Sequence, residues 1–145
     1  MKVVVQRVGR TSLKVDGELV SEIDFGLAVF IGIKIGDGEA QAAAIAKKVA
    51  GLRIFEDAEG KMNLSVKDVG GQILLVSQFT LYGDCTRGNR PNFSAAERPE
   101  RAKPLYELVA EYLRGYGITV KCGVFGADMK IEQFNDGPVS VIYEI

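Results

Sequence analysis

The chain has no histidine and no tryptophan, only two cysteines and four prolines among 145 residues. Without an imidazole, Ser-His-Asp and Cys-His catalysis and every His-ligated metal site are excluded. Cys85 and Cys122 lie far apart and outside any C-x-x-C pattern, which fits two unpaired thiols in a reducing compartment. No catalytic metal and no other cofactor are expected. No window approaches the roughly 18 consecutive apolar residues of a membrane span. The first residues enter a strand pattern at once rather than a secretory signal pattern, so a cytoplasmic location and no membrane partner are expected. A strong charge of one sign is also missing. The net charge is −1, with 18 Lys plus Arg against 19 Asp plus Glu, which argues against DNA or RNA binding by bulk electrostatics. Any nucleic acid must be held by a local basic patch and by recognition of one end.

What is present is an ordinary globular composition, 47% hydrophobic and 26% charged. At this length one domain spanning 1–145 is expected, burying roughly 68–70% of the unfolded chain's surface. The pattern predicts strands at 2–8 and 11–15, the latter joined through Asp16-Gly17 to a strand at 18–23. The apolar run Gly26–Lys34 reads as a strand buried on both faces. A helix follows over 39–52, with Ala42, Ile45, Ala46, Val49 and Leu52 on one face. Further strands are predicted at 53–55 and 72–82, with a polar, turn-rich stretch over 56–63. An irregular basic loop covers 83–94. A second helix begins near Pro99, with Pro104 distorting it or marking its start. Strands at 118–121, 128–134 and 139–144 complete an α+β domain of antiparallel or mixed sheets with two main helices.

Two segments carry the chemical signal. Ser77-Gln78-Phe79-Thr80-Leu81-Tyr82-Gly83 sets Gln78 and Thr80 into an apolar run. Strand alternation places Ser77 and Phe79 on one side and Gln78 and Thr80 on the other. Thr80 then offers a hydroxyl, and the Phe79 and Thr80 amides can face a developing oxyanion. The bland alternative is a strand-forming Thr beside an edge Gln. Asn135-Asp136-Gly137-Pro138-Val139-Ser140 is by itself most often a hairpin turn. Arg87, Arg90, Arg98, Arg101 and Lys103 crowd the region after the first segment. They suit phosphate contacts, although the interleaved Asp84, Glu97 and Glu100 also fit a solvated surface.

Together with Met1-Lys2-Val3-Val4-Val5-Gln6-Arg7-Val8 and Gly126-Ala127-Asp128-Met129, these segments resemble the D-aminoacyl-tRNA deacylase family along the whole chain. Two departures are visible: Ser140 where the family usually has Thr, and Ile131 where Val is commoner. The resemblance implies a layered β/β/α fold and a homodimer with two active sites at the subunit interface. It implies hydrolysis of the ester of D-aminoacyl-tRNA at its 3′ end, and of mischarged glycyl-tRNA, with rejection of L-aminoacyl-tRNA. Ser77, Gln78, Phe79 and Thr80 are then catalytic. Gly137 and Pro138, joined by a cis peptide bond, enter the neighbouring subunit's site as a chirality filter. Arg7 braces that loop, Asn135 belongs to the same motif, and Met129 lies near the adenosine pocket. Either Thr80 attacks as a nucleophile without a general base, or the ribose 2′-hydroxyl of the substrate assists water; the second is favoured. A different reading is a non-catalytic dimeric module that binds RNA ends or adenosine-like ligands.

Overall fold

A strand far longer than either expected segment organises the molecule. In the computed structural model, which describes Met1–Ile145, β1 runs from Lys2 to Val15 without interruption. One of its edges pairs antiparallel first with β3 (Gly26–Gly32) and then with β2 (Glu18–Ile23). The other edge pairs antiparallel with β8 (Lys130–Glu144). The register slips against β8 between Val8 and Thr11, and this bulge turns the strand. Val3 and Val5 therefore join the core on one side of the sheet, while Val8 and Leu13 join the core on the other. Gly9 sits at the slip, where a Cβ would lie 3.4 Å from the Phe134 ring.

The expected strands at 128–134 and 139–144 are likewise one element, β8, because both halves pair with the same edge of β1. The expected break between them fails: the Gly137–Pro138 segment, whose peptide bond is cis, bows out of register while the chain keeps its direction. Beyond β3 the sheet continues in parallel through β6 (Gln72–Ser77) to β7 (Val120–Cys122), so the sheet is mixed. The polar stretch at 56–63 is turn-rich, as expected, and its last residues open a strand that was not expected. It holds the turn of a small hairpin between β4 (Arg53–Glu56) and β5 (Met62–Ser65), shaped by the Asp57 carboxylate accepting from the Glu59 and Lys61 amides.

Two helices cover one face. In α1 (Glu39–Ala50), Ala42, Ile45, Ala46 and Val49 are buried, as the periodicity requires. In α2 (Pro99–Gly115), Ala102, Tyr106, Val109, Ala110 and Leu113 are buried. Pro104 lies inside α2 and does not begin it. The carbonyl left without its donor is that of Glu100, an exposed residue in the first turn, where solvent can reach it. The helices and the facing side of the sheet form a core of 23 buried residues, and a smaller core of six lies on the opposite side. No helix is long and apolar enough to cross a membrane.

Candidate active site

The first motif sits where the chain leaves the sheet. Strand β6 ends at Ser77, and Phe79–Tyr82 form a short 3₁₀ turn. This overturns the expected strand over 72–82 and the alternation of 77 and 79 against 78 and 80. The cause is a contact distant in sequence: Gln78 N donates to Ile31 O at 2.7 Å, and the turn then folds over the end of β3. Gly32 permits the approach, since a Cβ there would lie 3.1 Å from Gln78 O and 3.2 Å from Leu81 Cβ. Gln78 and Thr80 are neighbours all the same, because Gln78 Nε2 donates to Thr80 Oγ1.

The turn alters which groups are free. Leu81 N donates to Gln78 O at 3.3 Å, the first bond of the turn. The Phe79 and Thr80 amides precede it and have no carbonyl within the turn to bond, as at the start of any helix. Two adjacent N–H donors beside an exposed Thr80 hydroxyl are the elements of an oxyanion site. Behind them Tyr82 is buried, and that burial, with the charges of Glu144 and Asp37, raises its hydroxyl pKa well above the usual range. Lys2 Nζ, 5.1 Å from the Tyr82 ring centroid, donates to Leu81 O at 3.4 Å and ties the turn to β1.

Ser77, Gln78 and Phe79 form one wall of a cleft of about 580 Å³. Met129 and Ile131, where β8 begins, lie on a second wall, while Ala96 and Glu97 come from the segment just before α2 and Ala102 from its first turn. Phe79 and Phe93 meet edge to face at its mouth, with ring centroids 5.2 Å apart. Thr80 is outside the lining, at the rim. Arg7, Asn135, Gly137 and Pro138 do not line this cleft.

These last four form a second constellation along β1 and β8. Arg7 is 7% exposed, and its Nη1 donates to the buried Ile54 carbonyl at 2.9 Å. Its Nε donates to Asp136 O at 3.2 Å and lies 3.1 Å from Asp136 Oδ2. Arg7 therefore braces the Gly137-Pro138 loop from below. On the other face of β1, Gln6 Nε2 donates to Ser140 Oγ at 3.0 Å, and Gln133 Nε2 donates to Gln6 Oε1 at 2.8 Å and to Asn135 Oδ1 at 2.6 Å. The loop is thus held at both ends, and the Ser140 hydroxyl is in use. Gln6, Gln133, Phe93 and Phe125 escaped the sequence reading. Strand alternation carried the only available signal, two glutamines facing the same way on partner strands.

Of the basic residues after the first motif, Arg101 and Lys103 are drawn to Glu97 and Glu107 at 3.8 and 3.9 Å, whereas Arg87, Arg90 and Arg98 stand exposed. No group of three or more Cys, Asp or Glu is arranged to hold a metal ion.

Comparison with known proteins agrees with this geometry. A D-aminoacyl-tRNA deacylase of Brevibacillus brevis is 58% identical over 144 residues, covering 99% of this chain and 99% of the relative. One from Geobacillus is 57% identical over 144 residues, covering 99% and 95%. Among solved structures, one described as a c-Myc DNA Unwinding Element Binding Protein superposes with a TM-score of 0.93 at 41% identity, over 100% of this chain and 99% of that one. A probable eukaryotic D-amino acid tRNA deacylase shares the fold, with a TM-score of 0.85 at 17% identity over 99% and 98%. The family described as D-Tyr-tRNA(Tyr) deacylase matches residues 4–144, nearly the whole chain, and the chain belongs to that family.

Proposed function

We propose that this protein hydrolyses the ester of D-aminoacyl-tRNA, releasing the D-amino acid and free tRNA, and that it acts in the cytoplasm as a homodimer. The observation that carries this reading is the pair of unpaired Phe79 and Thr80 amides at the rim of the cleft, in a family whose members are named for the reaction. The substrate ester is already activated by the ammonium beside its carbonyl. One oxyanion donor is typically worth about 2.7–4 kcal/mol, so two aligned amides supply much of what such an ester needs.

With the reacting carbonyl at those amides, the cleft receives the nucleoside and the amino acid remains at the rim. The side chain is then read weakly, which suits an enzyme acting on many D-amino acids. The ribose 2′-hydroxyl beside the ester serves to orient or activate water, a role Thr80 cannot take alone because no base lies against its hydroxyl. Exposed Arg87, Arg90 and Arg98 hold the acceptor-stem phosphates.

The exposed surface of β8 supports the dimer. This strand pairs only with β1, leaving an open edge, and it displays Phe134 and Ile142 at 73% and 70% exposure. A second copy covering this surface brings its Gly137-Pro138 loop to the rim of the first copy's cleft. The Gly137 and Pro138 carbonyls then form a wall against the Cα of an L residue.

Incubation with D- and L-aminoacyl-tRNA, followed by measurement of free amino acid, tests the reading. Release from the D form with discrimination of ~10⁴ is expected. Equal release from both, or from neither, refutes it. Thr80→Ala keeps the backbone amide and removes only the hydroxyl, so a loss of about three- to tenfold in kcat is expected, the worth of one neutral hydrogen bond. Abolished activity together with an acyl-enzyme trapped on the wild-type protein would establish Thr80 as a nucleophile instead.

A further inference from the structure

Glu97 carries the one buried side-chain oxygen in the cleft lining that has no hydrogen-bond partner. Its side chain is only 6% exposed, yet Oε2 accepts no hydrogen bond. The nearest cation, Arg101 Nε, stands 3.8 Å away, beyond hydrogen-bond reach. Oε1 is occupied, accepting from Arg98 N at 2.9 Å, and the Glu97 backbone is pinned to Ile33 O at 2.9 Å. A buried acceptor without a donor calls for an explanation, and a ligand donor is the natural one in a cleft.

The rest of the lining narrows the ligand. It contains two carboxylates, Glu97 and Asp128, and no Lys or Arg, so it does not suit a phosphate. Asp128 already pairs with Lys130 Nζ at 3.0 Å, which leaves Glu97 as the free carboxylate of the lining. Phe79, Phe93, Phe125 and Met129 offer flat apolar contacts of the kind an aromatic base stacks upon. A planar, uncharged ring carrying an N–H donor on its edge satisfies all of these. Every tRNA ends in adenosine, whose base carries an exocyclic amine.

We propose that Glu97 is a specificity-determining residue that accepts a hydrogen bond from the exocyclic amine of the terminal adenine, once a small carboxylate rotation turns Oε2 toward the base. This rests on the reading that an aminoacyl-tRNA end occupies the cleft. A carboxylate there favours adenine, gains nothing from an unsubstituted purine, and repels the carbonyl oxygen of hypoxanthine. Discrimination thus depends on the edge of the base.

The test is calorimetric titration of the intact protein with adenosine, purine riboside and inosine. The wild type is expected to bind adenosine about tenfold more tightly than purine riboside, with inosine weaker still. Glu97→Gln, whose amide can present either an acceptor or a donor, is expected to bring adenosine and inosine within about threefold of each other. Glu97→Leu is expected to equalise adenosine and purine riboside. Equal binding of the three nucleosides by the wild type overturns the proposal without needing any variant. An unchanged ladder in both variants, each still folded by circular dichroism, overturns it too and identifies Glu97 as a partner of Arg101 only. If the wild type discriminates D- from L-aminoacyl-tRNA but does not distinguish the nucleosides, the inference fails and the proposed function stands. If it neither hydrolyses D-aminoacyl-tRNA nor binds adenosine, both fail.

Discussion

Arg7→Ala is expected to lower the stability of the fold by about 2–3 kcal/mol, and with it the melting temperature by about 5–10 °C. The ion pair is the smaller part of this effect. Asp136 has a side chain 62% exposed, so water screens its attraction to Arg7, and losing that pair alone costs little. The larger part is the Ile54 carbonyl, which accepts from Arg7 Nη1 in a buried setting and has no other donor to turn to once the guanidinium is gone. The aliphatic stem of Arg7 also leaves a gap under the loop. Lysine should not rescue the site, since one ammonium cannot bond to Ile54 O and Asp136 O in the forked geometry that a guanidinium supplies. The functional loss is expected to exceed the loss of stability. At a temperature where the variant is fully folded, its discrimination between D- and L-aminoacyl-tRNA should already have fallen, because the loop above Arg7 has lost its brace. Thermal melts paired with initial rates on both substrates provide the check. A variant that melts at the wild-type temperature and keeps wild-type selectivity would show that Arg7 braces nothing of consequence.

The limits of the sequence reading follow from where each structural decision is made. The Asp16-Gly17 turn was legible because it is local: both residues have positive φ, 50° and 83°, and the string itself announces it. The two helices were legible from periodicity, though α1 ends at Ala50, so Leu52 lies beyond the helix whose buried face it was expected to share. The end of β6 was not, because the chain turns at Gln78 on account of Ile31 and Gly32, more than forty residues upstream, and nothing in Ser-Gln-Phe-Thr contradicts a strand. The continuity of β8 was hidden for the opposite reason. Asn-Asp-Gly-Pro has strong local turn chemistry, and pairing with β1 on both sides overrides it. In the candidate site, the family motifs drew attention to Ser77, Gln78, Phe79 and Thr80. Glu97 was masked by Arg98, Glu100 and Arg101, a run that reads as solvated surface. Only the close pairing of residues 95–97 with residues 33–35, just beyond β3, shows that one member of that run is buried.

The last prediction concerns chirality and falls on Gly137. Its φ of +121° is a backbone conformation that an L residue adopts only under strain. The space is closed as well. A Cβ at this position would lie 2.9 Å from Val139 Cγ2, 3.1 Å from Val139 N and 3.1 Å from Arg7 Nη2. The guanidinium cannot retreat freely, because it is held by Ile54 O and Asp136 O, so the loop must yield. Residues 135–138 are exposed, so the displacement should cost only about 1–3 kcal/mol of global stability and leave the fold intact. Its effect on the reaction should be much larger. A filter that accepts many D residues must act on what they share, the Cα with its amine and ester, and must block the side on which an L side chain projects. Backbone carbonyls suit this task because they cannot rotate away as side chains do. Discrimination of ~10⁴ corresponds to about 5.5 kcal/mol, and a steric barrier of that height falls steeply once the wall moves by a fraction of an ångström. Gly137→Ala is therefore expected to reduce the ratio of D to L hydrolysis by about 100-fold or more. Glycyl-tRNA, which presents no side chain to either face, should be hydrolysed by the wild type and should lose far less than the D-to-L ratio does in the variant. Initial rates on D-, L- and glycyl-tRNA, measured at equal folded fraction, separate these effects. A Gly137→Ala protein that is folded and still rejects L-aminoacyl-tRNA at the wild-type ratio would place the filter somewhere other than this loop.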